Sequence, residues 1–443
     1  MSDFPPSPVP EPSPASPLSS LADPTSAPRV PEPVPVDPAV MALKRRQHGL
    51  IFLTVLIDLI GFGILIPVIQ PIAEALGAPV WIATLLMGVY SLMQFIFSPI
   101  LGRISDRVGR VPVLVISLWT SVAGYLIMSL AVSGKVPALT GLILLFSARI
   151  ITGIGGASIS TAQSYLSDIT APEKRAGVMG MIGAAFGLGF MIGPVLGGIL
   201  SHFGGRAAPF LFAAGLSTIN VLLMARRLPE TLPPEKRGTS ATSPSVFAVA
   251  QAQRGTPLPA LLVANFLTIC AFSTMTAAFV LFLKNHQAFH FNNMQVGACF
   301  GFIGIVGVII QGGLIRKIAK NNNESRLALT GLGLMVAAML WLPFTAPWLL
   351  LILNMWLVAA GNSLTSPCLN TLASRCGTLQ TQGLTMGAMA GAGSLGRFFG
   401  ALFAGPLLML NHHDPAHYGR YAFITAAVLM ACAIIPLRAA DRR

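Results

Sequence analysis

A chain of 443 residues that is 54% hydrophobic and only 10% charged cannot clothe a water-facing surface, because soluble globular proteins carry roughly a quarter charged residues. A formal net charge of +13 would point to nucleic acid in a soluble chain. No aromatic-basic patch accompanies it here, and basic loops of a polytopic membrane protein account for it. The cysteines Cys270, Cys299, Cys368, Cys376 and Cys432 form no CxxC or Cys/His pair and fall mostly in apolar runs. They read as single buried thiols, not as a disulfide framework.

Residues 1–40 are a different material, with thirteen prolines among Ser, Ala, Glu and Asp, and such a composition has too little to bury to fold. The tail lacks the basic start and apolar core of a signal peptide. Residues 1–47 are therefore expected to be a disordered, Pro-rich cytoplasmic tail. Met41 opens Met-Ala-Leu-Lys-Arg-Arg, which makes it a candidate start of translation.

After Arg46 come twelve apolar runs, at about 49–70, 80–101, 111–132, 138–167, 177–200, 208–225, 258–283, 294–315, 327–345, 347–372, 383–409 and 419–437. Most reach the ~20 residues that cross a bilayer as a helix, and the alternation of a membrane β-barrel is absent. The expected fold is all-α, twelve transmembrane helices in two pseudo-symmetric six-helix bundles. Lys and Arg orient it. Twenty-one fall on the side of Lys44–Arg46, Arg103, Arg107 and Arg110, against four (Lys135, Arg206, Lys284, Arg420) on the other. The positive-inside rule then makes both termini cytoplasmic.

The polar, Pro/Ser/Thr-rich stretch 226–257 reads as a cytoplasmic linker between an N-terminal bundle, 48–225, and a C-terminal one, 258–443. The halves echo each other. Gly193 and Gly400 each follow a glycine four residues earlier, and Gly102 and Gly312 each close the second span of their half. A duplicated plan of this kind suits a cavity between two rocking bundles.

Between the second and third runs lies Gly102-Arg103-Ile104-Ser105-Asp106-Arg107-Val108-Gly109-Arg110. Its charges must sit at an aqueous face, and its glycines predict a tight loop. Only one carboxylate lies deep in a span, Asp58. It should face water, pair with a cation or take up a proton, which makes it a candidate proton carrier. Arg149, on the fourth span with Gly153 one turn on, is its expected partner, and Arg397 is a second mid-span cation. Two cations against one acid leave an excess positive charge near the midplane, which keeps an anionic substrate in play. On the fifth span Gly189, Gly193 and Gly197 form one bare ridge, with Pro194 and Gly198 beside it. This predicts close, bendable packing at the interface between the halves. Gln94, Gln163, Asn220, Asn265, Gln311 and Asn362 are polar candidates for the cavity or for helix–helix glue. His412, His413, Asp414 and His417 read as an exposed outer loop, with metal binding the lesser alternative.

From about residue 48 onward the chain resembles the twelve-helix drug/proton antiporters of the major facilitator superfamily. The resemblance is carried by Gly102–Arg110, by Arg149–Gly156 and by Gly189–Gly198. It is closest to tetracycline/proton antiporters, through Asp58–Pro67, Tyr90–Gln94 and Ser167–Thr170. It implies that Asp106, Arg107 and Arg110, with Gly102 and Gly109 and with Asp168 as partner, form a cytoplasmic charge latch holding the outward-facing state. It places Asp58 and Arg149 on the substrate and proton pathway, to which the residues themselves add Gln94, Gln311 and Arg397 as polar and cationic candidates, and it makes Gly189–Gly198 a hinge-like seam. The departures are definite. The acids of tetracycline exporters on the third and ninth helices fall at Gly124 and near Leu334, a cavity histidine near Gly307, and Ala401 replaces a proline.

The sequence thus leads to a monomeric, multi-pass transporter of the cell (inner) membrane. The resemblance implies proton-coupled drug efflux, as in antibiotic resistance. Its partners are a small-molecule substrate, protons and lipid; no cofactor, metal, nucleic acid or enzymatic activity is expected. The alternatives are an organic-anion exporter or exchanger using Arg149 and Arg397, and a non-transporting membrane sensor.

Overall fold

The computed structural model describes residues 38–171, 175–233, 235, 237, 246–311, 324–345, 347–377, 382–411 and 413–441. Outside them lie the tail 1–37, Gly312, Lys174, Lys236, Arg316, Lys317, Lys320, His412, Arg442 and Arg443. The chain divides between Arg45 and Arg46; the described residues of the first unit are the opening of helix α1, and the second unit holds the rest of that helix and the other helices described below. Among the described residues every regular element is helical.

Helix α1 (Pro38–Leu65) begins inside the stretch expected to be an unstructured tail. It ends ahead of Pro67, which has no N–H to donate. The Ile66 and Val68 amides close back on the Gly63 and Leu65 carbonyls at 3.1 Å, and α2 (Ile69–Ala75) resumes the course. The first span is therefore longer than 49–70. Helices α3 (Val80–Val108) and α4 (Arg110–Ala131) correct the expected loop: α3 runs on through Gly102, and one residue, Gly109, turns the chain into α4. Gly109 has φ 119°, which an L side chain rarely adopts and glycine adopts freely. The charges of the motif thus ride on a helical extension.

The fourth run is two helices, α5 (Ala138–Gly156) and α6 (Ser158–Ile169), broken at Ala157 after Gly155-Gly156. Helices α7 (Arg175–Phe203) and α8 (Ala208–Arg227) complete the N-terminal half. The short α9 (Val246–Ala252) precedes α10 (Leu258–Asn285), α11 (Asn293–Ile309), α12 (Glu324–Trp341), α13 (Trp348–Cys376), α14 (Gln382–Met409) and α15 (Arg420–Asp441). A 3₁₀ turn, Leu342–Phe344, and Pro347 separate α12 from α13. Asn292 and Gln295 form a reciprocal capping box at the start of α11, satisfying amides that a helix end leaves open.

Eleven helical stretches among the described residues are long and apolar enough to cross a membrane, and α11, of 17 residues, is a shorter apolar twelfth. Their outward faces are greasy; Ile435 is 71% exposed and Ile219 65%. An apolar rind of that extent is tolerable only against lipid. All five cysteines are free thiols, three of them buried.

The two halves meet along two helix pairs, α3 with α14 and α7 with α11. The ridge of α7 corrects an expectation. A Cβ on Gly189 would stand 2.5 Å from Leu59 Cβ, and one on Gly193 2.6 Å from Gly63 Cα, so Gly189, Gly193 and Gly197 face α1 within their own half. The neighbouring edge of α7, with Met191, Pro194, Val195 and Gly198, meets α11 of the other half. Residues four apart share one helix face, so a single glycine ridge serves only one of the two neighbours.

That packing yields a test. Gly193→Ala puts a methyl against backbone that cannot yield, a class of overpacking that costs ~1–3 kcal/mol, whereas a Cβ on Gly183 of the same helix meets nothing within 4 Å. Thermal unfolding of the purified protein is expected to fall by several degrees for Gly193→Ala and to stay put for Gly183→Ala. Equal midpoints would mean that the α1–α7 seam is looser than described.

Candidate functional site

The centre is assembled from α1, α3, α4, α5 and α14. Asp58 of α1 is 8% exposed. The Ser121 hydroxyl of α4 is its polar neighbour, and its Oδ2 has no hydrogen-bond partner among the described residues. One turn on, Phe62 packs on Tyr90 of α3, with ring centroids 4.9 Å apart, and on Phe190 of α7 at 5.6 Å.

Arg149 of α5 is 1% exposed, and the expected ion pair with Asp58 is not formed. Its Nε donates to the Leu86 carbonyl at 2.9 Å and Nη2 to the Met87 carbonyl at 3.4 Å. Its guanidinium carbon lies 4.8 Å from the Tyr90 ring centroid and 5.6 Å from that of Phe62. The cause is the bare face beside it. A Cβ on Gly153 would stand 2.7 Å from the Tyr90 carbonyl oxygen, so α5 lies against α3 and the arginine is taken up there before it can reach α1. Carbonyl acceptors and aromatic faces carry the cation in place of a carboxylate.

Arg397 of α14 is held differently. It is partly exposed, and its Nη2 donates to Gln94 Oε1 at 2.9 Å and to Ser394 Oγ at 2.8 Å. Ser394 Oγ also donates to Gln94 Oε1, at 3.1 Å. Gln94 in turn donates from Nε2 to the Gly156 carbonyl at 3.0 Å, an acceptor released where α5 breaks. Gln94 of one half thus binds both the helix break of its own half and the cation of the other. Gln311 lies apart, donating to Ser363 Oγ at 3.4 Å. Asn220 accepts from Thr54, and Asn265 donates to the Met389 carbonyl; both act as helix–helix glue.

At the motif end, Arg110 is 7% exposed. It pairs with Asp106 at 2.5 Å and with Asp168 at 3.2 Å, and donates to Ser105 Oγ at 2.7 Å. Arg107 is exposed and has no ion-pair partner among the described residues; Gly102 offers its carbonyl to Ser105 Oγ at 2.7 Å. Sequence reasoning missed Glu230, just past α8. Its carboxylate accepts from the Arg110 and Val111 amides, each at 3.0 Å, and from Thr231 and Leu232, so it caps the start of α4 from 120 residues away. Only a carboxylate in a Pro-Glu-Thr turn signalled it. In the second half Glu324 and Arg375 form the corresponding ion pair with the signs exchanged. In the loop before α15, His417 Nδ1 and Asp414 Oδ2 stand 2.8 Å apart, and no group among the described residues could hold a metal.

Partial burial pushes the Glu230 carboxyl up, but the Leu232, Arg110, Val111 and Thr231 amides outweigh it and hold it below its ordinary value of 4.5. A carboxylate lowered in the fold stabilises fully above its unfolded value and loses that contribution as pH falls through the folded one. Thermal midpoints measured from pH 7 down to pH 3 should therefore fall more steeply for wild type than for Glu230→Gln, whose cap does not titrate. Parallel curves would remove Glu230 as the cap of α4.

Comparison with known proteins agrees with this architecture. The model of the Major Facilitator Superfamily matches residues 51–401. Tetracycline resistance protein, class C, of Escherichia coli is 29% identical over 392 residues, covering 87% of this chain and 94% of that protein. Major facilitator superfamily domain-containing protein 10 of Mus musculus is 29% identical over 419 residues, covering 84% and 89%. The crystal structure of the human organic anion transporter MFSD10 (TETRAN) superposes with a TM-score of 0.68 at 26% identity, covering 89% of this chain and 99% of that one. The proteins so matched are transporters, not enzymes, and the chain belongs to the Major Facilitator Superfamily.

Proposed function

We propose that this protein exports amphiphilic small molecules across the cell membrane in exchange for protons, by alternating access between its two six-helix halves, with both termini in the cytoplasm. The observation that carries this reading is Asp58, a mid-span carboxylate, buried, with one oxygen unpartnered. A carboxylate in hydrocarbon that is neither paired nor fully hydrogen-bonded is costly while charged, and taking up a proton relieves the cost. Proton arrival and departure therefore shift the balance between states without any covalent step. The route from that site to the seam is contiguous. Leu59 and Gly63 of α1 press on Gly189 and Gly193, and the other edge of α7 meets α11. The Arg110 cluster lies at the cytoplasmic end in this reading and acts as a latch on the cycle. The aromatic set of Phe62, Tyr90 and Phe190 offers the apolar contact an amphiphile needs.

A second reading, exchange of an organic anion, is favoured by one observation: neither Arg149 nor Arg397 has a carboxylate partner among the described residues. The human relative of known structure is described as an organic anion transporter.

Proteoliposomes carrying an interior pH dye separate the two. With a panel of amphiphilic drugs added, substrate-evoked proton movement is expected in wild type and absent in Asp58→Asn. Substrate crossing without proton movement in wild type would retire proton coupling and leave anion exchange.

A further inference from the structure

The two mid-span arginines are not equivalent. Arg149 is 1% exposed, both of its bonded nitrogens are engaged by backbone carbonyls of α3, and its faces are covered by Phe62 and Tyr90. Nothing can reach it without parting α3 from α5. Arg397 is only partly buried. One nitrogen, Nη2, carries both of its hydrogen bonds, while Nε and Nη1 have no partner among the described residues. A guanidinium presents a planar fork of five donors that fits a carboxylate with two parallel bonds. At Arg397 that fork is mostly vacant, and its two acceptors among the described residues, a carboxamide oxygen and a hydroxyl, carry no charge.

The amide is placed across the seam. Gln94 belongs to α3 in the first half, Arg397 and Ser394 to α14 in the second, and both hydrogen bonds that Gln94 Oε1 accepts cross from one half to the other. An anion is a stronger acceptor for a cation than a carboxamide oxygen. Either pair of parallel donors, Nε with Nη2 or Nη1 with Nη2, includes Nη2, so a carboxylate seated on the fork competes with Gln94 for that nitrogen. In winning, it removes a bond that holds the halves together at mid-span.

We propose that Arg397 receives the acidic group of the substrate, displacing Gln94 Oε1, so that binding an amphiphilic carboxylate itself loosens the two halves. Gln94 is a stand-in that occupies the cation when the site is empty, and Arg149 is a structural cation that binds no substrate. This rests on the transporter reading above and narrows its substrate class to monoanionic amphiphiles. It does not depend on proton coupling.

The test uses the full chain in lipid nanodiscs and equilibrium binding of three radiolabelled carboxylates: naphthoate, a medium-chain fatty acid and a bile acid. The uncharged alcohol of each serves as control. At least one carboxylate is expected to bind wild type in preference to its alcohol. Arg397→Gln should weaken that carboxylate about tenfold or more, the scale of a lost hydrogen bond to a charged group, and leave the alcohol unchanged. Arg397→Lys, which keeps the charge and loses the fork, should fall between. Gln94→Ala, which removes the competitor, should tighten the carboxylate severalfold. Binding of none of the three, equal binding of acid and alcohol, or no change in Arg397→Gln each overturns the proposal, and so does a weakened carboxylate in Gln94→Ala. Selective binding through Arg397 with no proton movement in the liposome assay would sink proton-coupled export and leave this inference standing. Proton movement driven by uncharged amphiphiles, unaffected by Arg397→Gln, would do the reverse.

Discussion

Everything at the centre of this protein depends on one constraint: a charge carried into hydrocarbon must be satisfied by the protein itself. Arg149 meets it with two carbonyls and two aromatic rings. That solution requires α5 to lie against α3, which requires Gly153 at the contact. It also fixes Tyr90 and, through it, Phe62, so the aromatic floor of the site results from housing a cation. Asp58 is left without a cation because Arg149 is already occupied elsewhere. The lone carboxylate and the aromatic surface beside it are two results of the same placement.

A second consequence concerns how the halves hold together. Apolar helices gain nothing by hiding from lipid, so their association relies on close packing and on the occasional hydrogen bond. The seams here are of that kind. Gly198 abuts the Asn293 carbonyl, Gly297 the Pro194 carbonyl, and Gly405 the Trp81 backbone, while Gln94 supplies hydrogen bonds across the middle. Contacts of this sort are made or lost as units, because backbone against backbone leaves no intermediate spacing at which dispersion is retained. Two packed arrangements separated by a modest energy are what a rocking mechanism requires.

The fold is almost wholly legible in the sequence because length and apolarity alone determine whether a segment can cross a bilayer. The sites of failure are local and have physical causes. The Gly102–Arg110 stretch reads as a loop by its charges, yet a helix tolerates charges wherever it has left the hydrocarbon, and only Gly109 needs an unusual backbone angle. The fourth run reads as one helix because apolarity does not register the break at Ala157. Opposite charge at similar depth suggests an Asp58–Arg149 pair, but depth does not say which way a side chain turns, and the bare face at Gly153 turns Arg149 to α3. The glycine ridge is legible as a packing surface but not as to its partner. Glu230 is invisible for a different reason: a cap supplied from 120 residues away leaves no periodicity.

Two groups at the centre are under-satisfied, Oδ2 of Asp58 and the fork of Arg397, and they carry opposite charge. A protein evolving toward maximal stability would bring them together or replace them, since a buried pair is readily exchanged for well-packed apolar residues. Here they stand on different halves and hold weaker substitutes, a serine for the acid and a glutamine for the base. In the cycle proposed here, a proton removes the charge of Asp58 and an anion takes the place of the Gln94 oxygen at Arg397, and each event changes what the helix beside it can hold. The instability kept at these two positions is therefore of the kind that a cycle needs and that a static scaffold would discard.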